Sequence, residues 1–321
     1  MRFFKISAVL FVLVSGGLQA GALETQEPQP LSIKVDVSLS NVAFIVRDKA
    51  GALTRDLKKE DIEVFEDGVL QEVKFFGRSN DLPLRLGLVV DGSGSQEQFT
   101  KQHKHDLETF LKTTITPQDS ALLVCFGNHI RLVSGFSPSV PQLMDGLERF
   151  HRGARRFEEL EPDDTRSAGT ALFDAMYLTA SKIMAPVAGA RKALILFSDG
   201  EDNSSAHDLM DAIEAAQTSD SLFYTVRYTE PSRHGRLTAR NRYGIREMDR
   251  LAAETGGAAF DASGGKDIAR LLAQVGEELR SLYEVAYTST NPARDGTFRK
   301  VVIHLKREGL AARAKPGYFA R

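Results

Sequence analysis

Hydrophobic positions follow two different periods along the chain, and the change between them divides it into three parts. Over residues 31–80, apolar and polar side chains alternate, and an Asp67-Gly68 pair separates two alternating runs, a pattern typical of a β-hairpin. From residue 84, apolar runs alternate with stretches of helical spacing. Near Leu282 the period returns to two. These patterns predict β segments over 31–80 and 281–321, on either side of an α/β domain over 84–280.

The central part contains runs that are almost entirely apolar, as expected of strands buried on both faces of a parallel sheet. These runs are residues 86–90, 121–126, 193–197 and 222–226. Stretches with apolar residues at helical spacing lie between and after them, around Leu107, Met176, Ile213, Met248 and Leu272. The alternation predicts a doubly wound, mostly parallel, Rossmann-like sheet with helices on both faces.

The two outer β segments are small for independent folding, at roughly 50 and 40 residues each. We therefore expect them to pair with each other into one β-sandwich-like platform, with the α/β domain inserted between them in sequence.

The first 22 residues differ from the rest. Arg2 and Lys5 precede an apolar run over 6–14, and small residues follow at Ala20-Gly21-Ala22. This pattern predicts a secretory signal peptide over 1–22, followed by a polar, proline-bearing leader over 23–30. The apolar run is shorter than the about 20 residues that span a bilayer, and we expect no transmembrane segment after cleavage. The protein is therefore predicted to be periplasmic or extracellular.

Composition adds two constraints. The chain has 321 residues and a net charge of −2, which gives no reason to expect a nucleic-acid partner. Cys125 is the only cysteine, so no internal disulfide can form. Because Cys125 lies in an apolar run, we expect it to be a small buried hydrophobic side chain.

Oxygen-bearing side chains follow the predicted strands of the central sheet. Asp91, Ser93 and Ser95 come directly after the first strand, Thr170 precedes a helix, and Asp199 follows another strand. Ligands of open α/β sheets bind at the carboxyl ends of the strands, so these residues can converge there. Carboxylates and hydroxyls suit a hard cation. The alternative is a network of hydroxyls in the loops without a metal.

This set of residues resembles the metal-ion-dependent adhesion site (MIDAS) of von Willebrand factor type A (VWA) domains, and the resemblance covers about residues 84–280. Stretches of the outer segments are similar to the bacterial VWA-related family known mainly from Acidobacteria. They are residues 57–64, Glu66-Asp67-Gly68, residues 295–300 and residues 316–319.

The resemblance implies one divalent cation, with Mg²⁺ expected and Ca²⁺ or Mn²⁺ as alternatives. Ser93 and Ser95 would be direct ligands, whereas Thr170, Asp91 and Asp199 would bind directly or through water. A Glu or Asp carboxylate of a protein partner would complete the coordination sphere. Because the protein supplies few negative charges, the ion stays electron-poor and attracts this carboxylate. We therefore expect a secreted, non-enzymatic binding or adhesion module.

Two other functions stay open at this point: a metal-dependent hydrolase at the same site and a non-metal structural scaffold. The serines lack the Gly-x-Ser-x-Gly elbow of hydrolases. His103 and His105 are two apart on a predicted helix and cannot readily share an ion, so we expect both to be exposed.

Two charged loops could surround the site. Residues 158–164 are acidic, and a basic set comprises Arg227, Arg233, His234, Arg236, Arg240 and Arg242. Such loops could attract an acidic partner and reject others. We favour the simpler interpretation that both are solvated loops.

Overall fold

The computed structural model describes residues 39–78, 82–154, 156–161, 168–229, 237–262 and 268–321. The predicted signal peptide, the leader and the first predicted strand positions, 31–38, lie outside these residues. So do residues 162–164 of the acidic loop and Arg233, His234 and Arg236 of the basic set.

The helices and strands of the described residues are as follows. The α-helices are α1 (Thr100–Thr114), α2 (Val140–His151), α3 (Leu172–Leu178), α4 (Leu209–Thr218), α5 (Ala239–Thr255) and α6 (Ile268–Arg280). The strands are β1 (Leu39–Asp48), β2 (Ile62–Glu66), β3 (Val69–Gln71), β4 (Val73–Gly77), β5 (Leu84–Asp91), β6 (Ser120–Phe126), β7 (Ile130–Ser137), β8 (Glu158–Glu159), β9 (Arg191–Ser198), β10 (Ser221–Arg227), β11 (Ala259–Asp261), β12 (Tyr283–Thr288), β13 (Phe298–Leu305), β14 (Leu310–Ala314) and β15 (Gly317–Phe319). A 3-10 helix over Gly94–Phe99 leads into α1, and a π-helix over Thr179–Met184 extends α3.

The central sheet has seven strands in the order β11-β10-β9-β5-β6-β7-β8. The five strands β11, β10, β9, β5 and β6 pair in parallel with one another. Strand β7 runs antiparallel to β6, and the short β8 runs antiparallel to β7. The predicted mostly parallel α/β sheet is confirmed. The hydrophobic pattern did not predict β7 or α2.

Both faces of this sheet are covered by helices, because the strands are apolar on both sides. In β5, Leu88 and Val90 pack into one cluster with α1, α2 and α6, whereas Val89 packs into another with α3, α4 and α5. Such alternation is what a doubly wound fold requires of its central strands.

The outer segments form two further sheets, in the orders β14-β1-β12-β4 and β15-β13-β2-β3. In each, a strand from before the α/β domain pairs antiparallel with one from after it: β1 with β12 and β2 with β13. One apolar cluster joins the two sheets through residues such as Phe44, Val64 and Val285. The predicted pairing of the flanks is confirmed, while the exact domain limits stay predictions.

The predicted hairpin at Asp67-Gly68 connects β2 and β3. Both residues have positive φ, 49° and 82°, as the tight turn of a two-residue hairpin requires.

A buried glutamate ties the flanking strands to the α/β domain. Glu278 of α6 is 2% exposed and contacts Arg47 of β1 and Arg313 of β14. Its carboxylate also accepts a hydrogen bond from the hydroxyl of Tyr224 in β10, at 3.0 Å. Two cations and a donor therefore compensate for the burial of this charge.

The burial of Cys125 and the character of the helices relate to two of the sequence predictions. Cys125 is free and fully buried, as predicted. Within the described part of the chain, every helix is too short or too polar to cross a bilayer.

The prediction that His103 is exposed is wrong, whereas His105 is exposed as expected. His103 lies on the buried face of α1 with Leu107 and Phe110, at spacings of four and seven residues. It is 1% exposed, and its ring centroid lies 4.3 Å from that of Tyr228. Burial, with a smaller contribution from the nearby His151, lowers the pKa of His103 to about 3.

This burial predicts a specific loss of stability in acid. As the pH falls below about 6.5, the unfolded chain gains a proton on His103 that the folded chain does not bind, and stability declines until the pH reaches the folded pKa. At about pH 5 this costs about 2 kcal/mol. We expect His103→Phe to reduce the drop in unfolding free energy between about pH 7 and about pH 5 by that amount, measured by urea denaturation. His105→Phe is the control, and an equal drop in all three proteins would contradict the expectation.

Candidate metal centre

The two aspartates of the predicted site lie at the ends of neighbouring parallel strands. Asp91 is the last residue of β5, and Asp199 directly follows β9. Strands β5 and β9 pair with Val90 opposite Phe197, so both chains leave the sheet at the same level of the same edge. Asp91 is 1% exposed and Asp199 is 5% exposed. The strand geometry therefore places two buried carboxyl groups side by side.

The loop after β5 connects these carboxyl groups through its serines. One oxygen of Asp91 accepts a hydrogen bond from the backbone N–H of Ser93 at 2.9 Å. The Ser93 and Ser95 hydroxyls are 3.2 Å apart, and that of Ser95 donates to Asp199 at 2.6 Å. Four of the five predicted site residues thus form one continuous network.

Thr170, the fifth predicted residue, reaches the same place from a third loop. Its backbone N–H donates to the side-chain oxygen of Asn203 at 2.7 Å, and its carbonyl accepts from the backbone N–H of Asn203 at 3.1 Å. It lines a recess of about 500 Å³ together with Ser93 and Ser95. The structure therefore places three hydroxyl-bearing residues around one opening, and Asp199 accepts a hydrogen bond from one of them, Ser95.

Several residues that support the site were not predicted. Ser198 donates to the second oxygen of Asp91 at 2.6 Å, and Gln96 donates to Asp199 at 3.0 Å. Asp202 accepts hydrogen bonds from the backbone N–H groups that begin α3. Ser198 and Asp202 belong to a polar run that directly follows an apolar strand, which is a usable signal. Nothing in the sequence distinguishes Gln96.

A close approach of two glycines fixes the turn that carries Asp199. Gly200 has a φ of 83°, and a Cβ there would lie 2.4 Å from the carbonyl oxygen of Gly244 in α5. A Cβ on Gly244 would lie 2.5 Å from the carbonyl oxygen of Asp199. Helix α5 can therefore pack against this turn only because neither residue has a side chain.

The site has an excess of negative charge. Burial raises the pKa of Asp91 to about 6, with a smaller contribution from the charge of Asp199, and hydrogen bonds from Ser198 and Ser93 oppose the shift. Glu201 is close by, and burial followed by the charge of Asp199 raises its pKa as well. Among the described residues, Asp91 and Asp199 form no ion pair with a cationic side chain. A bound cation would offset these charges.

The donor atoms fit a small hard cation. Ligands at about 2.1 Å from Mg²⁺ in octahedral geometry lie about 3.0 Å from their neighbours. The separations of 3.2 Å between the serine hydroxyls and 2.6 Å from Ser95 to Asp199 lie on either side of that value. No group of three or more His, Cys, Asp or Glu side chains suited to a metal occurs in the described ranges. The candidate centre thus depends on hydroxyls as well as carboxylates.

The charged residues around the site differ in whether they line the recess. Glu159 pairs with Arg131 at 3.2 Å, away from the recess. Arg240, by contrast, lines the recess and pairs with Glu201 at 2.9 Å. Arg240 belongs to α5 and its side chain is 65% exposed, so it is solvated as expected. Because it also lines the recess, the alternative of a charged rim stays open for this residue.

Comparison with known proteins gives matches at the level of solved structures. No family model matches the sequence, and no curated protein is similar to it. A von Willebrand factor type A protein from Catenulispora acidiphila is 13% identical, with 89% of this chain and 74% of that one covered and a TM-score of 0.46. The conserved hypothetical protein BatB from Bacteroides thetaiotaomicron is 15% identical, with 61% and 98% covered and a TM-score of 0.47.

Proximal thread matrix protein 1 from the mussel byssus, solved with a zinc-occupied MIDAS motif, is 13% identical, with 67% and 49% covered and a TM-score of 0.47. The similar structures thus include VWA domains, the family that the site residues resemble. The TM-scores of all three structures lie below 0.5. The narrower resemblance to the bacterial VWA-related family stays a prediction.

The contact between the two glycines can be tested with Gly244→Ala. Alanine favours a helix over glycine by about 1 kcal/mol, so a purely local effect would be stabilising. We expect instead a loss of about 1–3 kcal/mol in unfolding free energy, because the new methyl group collides with the Asp199 backbone. Gly135→Ala is the control, since nothing lies within 4 Å of a Cβ there. A stabilised Gly244→Ala protein would contradict the proposed packing.

Proposed function

We propose that this chain is an exported, non-enzymatic binding protein that holds one divalent cation with Asp91, Ser93, Ser95, Thr170 and Asp199. The open coordination position of the ion takes an Asp or Glu carboxylate from a protein partner. The observation that carries the proposal is the pair of buried aspartates beside hydroxyls that line an open recess. Mg²⁺ is the expected ion, with Ca²⁺ or Mn²⁺ as alternatives.

The space around the site supports a macromolecular partner. A second cleft of about 700 Å³ shares Gly92, Ser93 and Gly94 with the recess. The two together offer room for a polypeptide segment on both sides of the carboxylate that would meet the ion. A partly enclosed site also strengthens the attraction between the ion and that carboxylate.

The hydroxyls of the site are arranged as potential metal ligands. Ser95 donates to Asp199, which also accepts from Gln96, and the Ser93 hydroxyl lies beside that of Ser95. Export is supported by the signal-peptide pattern of residues 1–22.

Addition of the ion should stabilise the fold. At a concentration about 100-fold above its Kd, a ligand contributes about 2.7 kcal/mol, which we expect to raise the Tm of the chelator-treated protein by about 5 °C or more. Asp91→Ala should abolish the increase caused by Mg²⁺, Ca²⁺ or Mn²⁺. Glu97→Ala, which removes an exposed carboxylate in the same loop, should retain it.

Differential scanning calorimetry gives the Tm of each protein with and without the ion. The increase is taken within each protein, so a variant that is less stable without metal does not affect the comparison. A wild-type protein whose Tm does not respond to any of the three ions would favour the structural scaffold. Metal-dependent turnover of phosphate or peptide substrates, lost in Asp91→Ala, would favour the hydrolase.

Partner binding should depend on the same ion. We expect the immobilised protein to retain a partner from the native cell envelope with Mg²⁺ present and to release it when a chelator is added. Asp91→Ala should lose this retention, whereas Asp249→Ala, which removes an exposed carboxylate that lines neither cleft, should keep it. Retention that is equal with and without chelator would exclude a role for the ion in binding.

A further inference from the structure

An ion pair lies at the edge of the recess and is not explained by the metal site alone. The Nε atom of Arg240 is 2.9 Å from a carboxylate oxygen of Glu201. Both side chains line the recess that Ser93, Ser95 and Thr170 also line. The pair therefore faces the space that a partner's carboxylate would enter.

The two members of the pair are held differently. The backbone N–H of Glu201 donates to Asp199 at 3.0 Å, and the Glu201 side chain is only 15% exposed. The side chain of Arg240 is 65% exposed and projects from the first turn of α5. Glu201 is thus fixed to the site, whereas the guanidinium group of Arg240 has solvent on most of its surface and can change its partner.

The two charged residues that line the recess have opposite effects on an incoming carboxylate. Among the described lining residues, Arg240 carries the only positive charge and Glu201 the only negative one. Glu201 adds to the negative charge of Asp91 and Asp199, which would oppose an incoming carboxylate. Arg240 is the group in the recess that can offset this opposition.

We propose that Arg240 contacts the same partner carboxylate that binds the ion, and that Glu201 occupies Arg240 until the partner arrives. This inference rests on the proposed function and adds the residue that selects an acidic group over a neutral oxygen. The planar guanidinium group of arginine binds a carboxylate through two parallel hydrogen bonds, so it adds direction as well as charge.

The exchange is energetically feasible. Ion pairs with an exposed member contribute about 0–1 kcal/mol, so little is lost when Arg240 leaves Glu201. A carboxylate that contacts both a divalent ion and a guanidinium group gains more than either contact provides alone. The free chain therefore keeps Arg240 near the site without blocking it.

The test uses a synthetic peptide, acetyl-Gly-Glu-Gly-amide, and its glutamine counterpart, titrated into the full chain at saturating Mg²⁺. We expect Arg240→Gln to weaken binding of the glutamate peptide about five-fold, which corresponds to the loss of one partly exposed charge contact. Glu201→Gln should strengthen it by about three-fold, because Arg240 is released. Arg242→Gln, in the same turn of α5 but outside the recess lining, is the matched control and should change nothing.

Affinity for the ion itself provides a second measurement. Arg240→Gln should raise the affinity for Mn²⁺, measured by electron paramagnetic resonance, because it removes a repelling charge. Glu201→Gln should lower it by about three-fold. The variants are thus expected to change ion affinity and peptide affinity in opposite directions, which a merely structural ion pair would not do.

Each other outcome has a defined meaning. If the wild-type protein binds no ion, the proposed function fails and this inference fails with it. If it binds the ion but does not distinguish the glutamate from the glutamine peptide, or if Arg240→Gln binds the peptide as tightly as wild type, Arg240 is not an anchor and the inference alone is overturned. A loss of Mn²⁺ affinity of about 100-fold in Glu201→Gln would make Glu201 a ligand of the ion and would likewise overturn it.

Discussion

The burial of Asp91 and Asp199 next to each other is the constraint on which the site depends. Two carboxyl groups that are 1% and 5% exposed repel each other and lose hydration, so each requires compensating contacts. Serine hydroxyls, the Gln96 amide and backbone N–H groups provide part of this compensation. All of these donors lie at a single edge of the sheet. The same features that make the carboxyl groups costly to bury make the site attractive to a positive ion.

Contacts near the site and contacts far from it both hold this arrangement in place. Nearby, the contact between Gly200 and Gly244 holds the Asp199 turn against α5, the helix that also presents Arg240. Farther away, Glu278 connects α6 to β1 and β14, so the flanking sheet that contains these two strands shares a buried polar junction with the α/β domain. The site is therefore built on elements whose positions are fixed by close packing and by charge, as precise ligand geometry requires.

The sequence predicted the features that depend on local periodicity. Apolar runs placed Asp91 and Asp199 at strand ends, and parallel pairing then brought them together without further information. The spacing of His103 to His105 gives the wrong location for its side chain, whereas its spacing to Leu107 and Phe110 places it on the buried face of α1. Gln96 and Gly244 could not have been predicted, since their roles arise from contacts with residues that are distant in sequence. Strand β7 lacked a clear pattern because it lies near the edge of the sheet and alternates irregularly.

The pairing of β1 with β12 and of β2 with β13 determines the order in which the molecule can assemble. More than two hundred residues separate the partners, so these strands cannot join until nearly the whole polypeptide has been synthesised. The α/β domain contains most of two hydrophobic clusters, one of which also includes Ile45 of β1, so much of its core does not depend on these strands. During this interval the unpaired N-terminal strands expose edges that favour aggregation. Synthesis of the C-terminal segment therefore sets the moment at which these edges are covered.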